Sequence, residues 1–151
     1  MNDLKSIRDE VIKKGFLELL DEDIQIEYTS LEDALFEYGE LSEEGYYIEV
    51  DESLKNASQK VIEGGLAHEL SHIVIDRDLG DISVETPSEK MFRRYKTLDE
   101  RNTDLTVILR GFGSQLLALL KYSENKGFSH YREDGLSIRE VEQILSLSDT
   151  R

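Results

Sequence analysis

The stretch from Gly64 to Asp76, GGLAHELSHIVID, decides how the rest of the chain is read. It holds two of the three histidines, His68 and His72, four positions apart with Glu69 beside the first. Leu66, Leu70, Ile73 and Val74 recur at steps of three and four, the period of a helix with a buried stripe, so a helix is expected from about Ala57 to Asp76. Side chains four apart on a helix stand side by side, with Cβ atoms roughly 5–6 Å apart. Two imidazoles placed this way can converge on one cation. Glu69, next to the first, can then lean over an open coordination position and take a proton from water, whose pKa a zinc ion lowers to about 7. The competing reading is an ordinary amphipathic helix on which two histidines fall one turn apart. This helix is too apolar to be a solvent-exposed surface, which favours the metal.

A third ligand decides between the two. The glycine and histidine that would extend the motif locally are absent, since Ile75 and Asp78 occupy those places. His130 lies in GFSHYREDG, which reads as a loop. In LDERNTDLTV, by contrast, Glu100 and Asp104 are four apart and share a helix face with Val107, Ile108 and Gly111. Two acids on a buried face need a partner. Glu100 is expected to complete the ligand set, and Asp104 to accept a hydrogen bond from a ligating imidazole and so fix its tautomer. The bland reading is a solvated face on which Arg101 and Arg110 balance neighbouring acids.

Composition narrows the chemistry further. The chain has no cysteine, so disulfides, thiolate zinc sites, iron–sulfur clusters and a cysteine nucleophile are excluded, and a metal must be held by His, Asp and Glu. Thirty-three acidic against 18 basic residues give a net charge of −15, which repels phosphate. Nucleic acid and anionic membranes are therefore not expected partners. The opening MNDLKSIRDEV lacks the apolar run of a signal peptide, and no segment is read as the roughly 20 apolar residues of a membrane span. A cytoplasmic protein is expected.

The 151 residues carry no repeat and no linker, so residues 1–151 read as one domain. A first helix is expected over Leu4–Leu20, then a strand at IQIEY, a short helix opened by Thr29 or Ser30, and a strand at GYYIEVD with Tyr46, Ile48 and Val50 on one face. After the histidine helix, ISV is a candidate third strand. Thr86, Pro87 and Glu89 sign the start of a long helix to Arg110, which Gly111 and Gly113 break before SQLLALLKY. Ser137 and Glu140 form a capping box for a last helix, with Leu136 and Val141 placed as a hydrophobic staple. The fold class is α+β: a two- to three-stranded sheet packed on a helical body.

His68, Glu69, His72, Glu100 and Asp104 together resemble the gluzincin metallopeptidases, in which an HExxH helix and a glutamate from a later helix hold catalytic zinc. The short length and the run ERNTDLTVILRGFGSQLLAL are most similar to the minimal single-domain type, the minigluzincins. The resemblance implies a zincin-like fold, hydrolysis of a peptide or protein substrate, and Glu69 as general base. It also implies a peptide-binding edge strand upstream, a place that Tyr47, Ile48 and Glu49 occupy here. Some members are latent, with part of their own chain in the cleft. Larger relatives use a downstream Tyr or His to steady the oxyanion, for which Tyr131, His130 and Tyr122 are candidates. A zinc-binding but catalytically silent interaction protein of the same fold is the alternative.

Overall fold

The computed structural model describes residues 3–41, 44–79, 99–127 and 134–148. Helix α1 (Leu4–Gly15) begins where the Asp3 carboxylate accepts from the Ser6 amide, and it buries Leu4, Ile7, Val11 and Ile12. It stops earlier than its apolar spacing predicts. Gly15 lies against the Phe112 ring, where a Cβ would come within 2.5 Å, and Phe16 leaves the helical conformation to stack on Phe112 at 6.0 Å. A short 3-10 turn, Leu17–Leu19, follows. Leu19 is buried there, while Leu20, expected on the buried stripe, is exposed.

Strands β1 (Ile24–Thr29), β2 (Phe36–Glu40) and β3 (Tyr46–Asp51) form a mixed sheet in the order β1-β3-β2. β1 runs parallel to β3, and β2 antiparallel to it. The short helix expected after Thr29 is not formed. Asp51 decides this, because its carboxylate accepts from the Leu31 amide at 2.8 Å and its own N–H donates to the Leu35 carbonyl at 2.9 Å. The segment is thereby tied along the end of β3, and Phe36-Glu37-Tyr38-Gly39-Glu40 becomes the third strand. The candidate strand ISV and the cap at Thr86, Pro87 and Glu89 lie outside the described residues.

One sheet face carries Ile26, Ile48 and Val50 into the core. On the other, Glu27, Glu49 and Glu37 stand in register in one row across the three strands. The order of strands also corrects an expectation. Tyr47, Ile48 and Glu49 belong to the central strand, hydrogen-bonded on both sides, so they are not an edge open to a peptide. Ile48 is core, and the Tyr47 ring lies across Gly39.

Helix α2 (Gln59–Leu79) runs through the centre, with Ile62, Leu66, Leu70 and Ile73 fully buried. Its two glycines permit close approach. A Cβ on Gly64 would fall 2.3 Å from the Gln115 carbonyl oxygen, and one on Gly65 would strike the Phe36 ring. The next helix, α3 (99–107), gives way to a π-helical turn, Ile108–Phe112, in which Gly111 adopts φ 96°. Helix α4 (Gly113–Asn125) packs on α2, and α5 (Ile138–Ser148) packs on α4. The break expected at Gly111 and Gly113 is present.

Within the helical run Asp99–Asn125 an 18-residue window reaches a mean hydropathy of 1.2, enough by length and composition alone to cross a membrane, where the sequence reading expects no such segment. Packing accounts for much of that apolarity, since Val107, Phe112, Leu116, Leu119 and Leu120 are core residues. The last capping box forms as expected. Glu140 accepts from the Ser137 amide and Ser137 Oγ accepts from the Glu140 amide, both at 3.1 Å, while Leu136 and Val141 are buried beside them. Among the described residues the architecture is α+β, a small mixed sheet against a helical body.

Candidate metal centre

Helices α2 and α3 bring together three residues from two distant parts of the chain. His68 Nε2 lies 3.2 Å from Glu100 Oε2, His72 Nε2 lies 3.2 Å from Glu100 Oε1, and the two Nε2 atoms are 3.2 Å apart. These side chains could hold a metal ion. The spacing can be tested against a tetrahedral cation, for which bonds of about 2.0–2.1 Å put neighbouring donor atoms about 3.3 Å apart. The separation of the two Nε2 atoms matches that edge length, and each nitrogen has a different oxygen of Glu100 at the same distance. The charge pattern agrees. Two imidazole nitrogens with converging lone pairs repel each other unless a proton or a cation lies between them, and a carboxylate completes the trio.

Each imidazole is held from behind. Asp104 Oδ1 lies 2.9 Å from His68 Nδ1, and its other oxygen accepts from the Leu136 amide at 2.9 Å. A ring that donates from Nδ1 presents the Nε2 lone pair to the centre. On the other ligand, the Thr103 hydroxyl donates to the Asp99 carbonyl at 2.8 Å, leaving its oxygen 3.4 Å from His72 Nδ1. The Tyr38 ring stacks on His72 at 5.1 Å with 12° between planes, and its hydroxyl donates to Asp76, one turn further along α2.

The site is largely withdrawn from water: His72 is 6% exposed, Glu69 5% and Asp104 2%. Burial opposes charge on His68, but the hydrogen bonds to Asp104 and Glu100 outweigh it and raise the ring well above its ordinary pKa. Burial pushes Glu100 upward as well, yet its bonds to His68 and His72 prevail and hold it well below the usual carboxylate range. Glu69 is different. Burial raises its pKa, and the neighbouring histidines only partly counter this.

Arg101 and Arg110 make their ion pairs elsewhere, although Arg101 also lies in the field of Asp104. Arg101 makes a two-pronged ion pair with Glu140 at 2.6 and 3.1 Å, which holds Glu140 down at about 2 through that guanidinium. Arg110 reaches the Gly15 carbonyl and Glu18. Tyr122 is half-buried against Lys126 and in the field of Asp51, not beside the imidazoles. His130 and Tyr131 lie outside the described residues.

Three contributors were missed by reading the sequence. Tyr38 is missed because only a short helix opened by Thr29 or Ser30 is expected between the two strands, although the alternation in FEYGE is a signal. Thr103 and Asp99 flank the recognised pair on α3 and carry no motif of their own. No protein-family model, curated protein or solved structure is matched by this chain.

Proposed function

We propose that the chain is a zinc-dependent metallopeptidase of the gluzincin type, with a zincin-like fold, in which His68, His72 and Glu100 hold the metal and Glu69 is the general base. The observation that carries this reading is the convergence of two Nε2 atoms 3.2 Å apart, each with one oxygen of the same Glu100 carboxylate at 3.2 Å. A divalent cation held there supplies Lewis acidity, which polarises a carbonyl group and makes water a nucleophile near neutral pH.

The residues of the chain supply orientation and proton transfer. Asp104 and Thr103 keep both imidazoles in the tautomer whose lone pair faces inward. Glu100 brings the negative charge that offsets the cation. Glu69 follows His68 directly on α2, and its burial raises its proton affinity toward the working range of an acid–base group. It takes the proton that the attacking water loses and passes it to the leaving amine. The substrate is a peptide or unfolded protein.

The competing reading, a closed structural zinc site in a silent interaction protein, needs a fourth protein ligand. Asp104 is poorly suited to that place because its two oxygens are engaged by His68 Nδ1 and the Leu136 amide. The test combines zinc stoichiometry with cleavage of an unfolded protein. Glu69→Gln is expected to keep one zinc per chain and lose activity by about 100-fold or more. Retained zinc with unchanged cleavage would refute the role of Glu69, and absence of zinc from the wild-type protein would refute the centre itself.

A further inference from the structure

Asp104 is the meeting point of two structures that are remote in sequence. One of its oxygens holds His68, while the other is held by the backbone N–H of Leu136, 32 residues away at the entrance to α5. That entrance is itself fixed. Ser137 and Glu140 cap α5 reciprocally, and Glu140 also pairs with Arg101, the residue next to Glu100 on α3. Leu136 and Val141 are buried at the same place. The carboxylate of Asp104 is almost fully buried, so it has little water to replace a lost partner.

We propose that α5 is a positioning element of the metal centre: the Leu136 N–H, held in place by the docked helix, fixes Asp104, which fixes the His68 ring. The inference rests on the metal reading given above and adds a linkage to it. Metal binding sharpens the geometry that Asp104 needs, and Asp104 in turn holds Leu136, so an occupied centre and a docked α5 favour each other. By reciprocity the two effects are equal in size.

Hydrogen exchange of the full chain, read amide by amide without metal and with saturating zinc, measures the linkage. Zinc is expected to slow exchange at the Leu136 amide and the first turn of α5 by about 5- to 150-fold beyond the change at the Val11 amide in α1, which reports general stabilisation. In Asp104→Asn the isosteric side chain has one carbonyl oxygen for two N–H groups, so zinc affinity is expected to fall by about 10- to 100-fold. The excess protection at Leu136 then disappears even at saturating zinc.

Should that variant misfold, Glu140→Ala loosens α5 without touching a donor atom. It is expected to weaken zinc by about threefold or more, and Glu140→Gln, which can keep the cap, should restore part of it. Zinc that binds the wild type while Leu136 gains no more protection than Val11 overturns the linkage and leaves the centre standing. A wild-type chain that binds no zinc overturns both.

Discussion

Two groups of acidic residues in this molecule have the same chemistry and opposite surroundings. Glu69 and Asp104 are buried and Glu100 is half-buried on α2 and α3, each within reach of an imidazole's charge. Glu27, Glu49 and Glu37 stand in one row on the outer face of the sheet, with only one another in register. Buried acids without cationic partners would lose their charge. Glu100 instead stays ionised because two histidines face it. The row on the sheet has no such partner in register and sets like charges directly opposite each other. A formal charge of −15 is therefore not one property: what packs opposite a carboxylate decides whether it builds a site or only repels.

The sharpest way to break the contrast is Glu100→Ala, which removes the carboxylate that faces both imidazoles. Zinc affinity should fall roughly 1,000-fold, about one ligand's share of the roughly 10–16 kcal/mol that such sites supply. Chelator competition measures it. A second test uses pH. The raised pKa of His68 means that its charged form stabilises the metal-free fold below the unfolded value of about 6.5, and that this contribution is lost as pH rises through the folded value.

For Glu100 the sign is reversed. Its depressed pKa gives stability that is present above the unfolded value of about 4.3 and lost as pH falls through the folded value. The metal-free protein should thus be held best by this group of residues between about pH 4.3 and 6.5. Zinc competes with the proton on His68, so the rise in melting temperature on adding zinc should widen from about pH 6 to about pH 8. A rise that shrinks over that range would contradict the assignment.

Smaller effects separate the two ways in which the imidazoles are held. Tyr38→Phe keeps the stack on His72 and loses the bond to Asp76, so zinc affinity should stay within about threefold. Tyr38→Ala loses both and should weaken zinc by about 10-fold, the upper range for one aromatic contact. The smallest change is expected on the sheet. Glu49→Gln removes the middle charge of the row and should stabilise the fold by about 0.2–1 kcal/mol in low salt. That gain should fade at high ionic strength, with zinc affinity unaffected.

What could be read from the sequence follows the range of the interaction that fixes each part. The histidine pair on α2 and the Glu100–Asp104 pair on α3 are legible because their geometry is set within one helical turn. The cap of α5 is legible for the same reason. β2 is not: Thr29 and Ser30 read as helix caps until Asp51, 20 residues on from Leu31, ties that segment to the end of β3. With β2 unseen, Tyr38 had no place beside His72, and β3 passed for an edge. The bland reading that Arg101 and Arg110 balance neighbouring acids fails for the same reason, since their partners, Glu140 and Glu18, are 39 and 92 positions away.

Gly111, in the π-helical turn after α3, has a backbone angle that L side chains rarely adopt, yet no atom lies within 4 Å of where a Cβ would be. Its environment therefore does not dictate glycine by collision, and only the torsion does. A substitution there meets open space and acts purely as a spring, pressing the joint between α3 and α4 toward a straighter course. Since Glu100 and Asp104 sit on the arm upstream of that joint, the aim of both carboxylates can be altered from a position that touches neither.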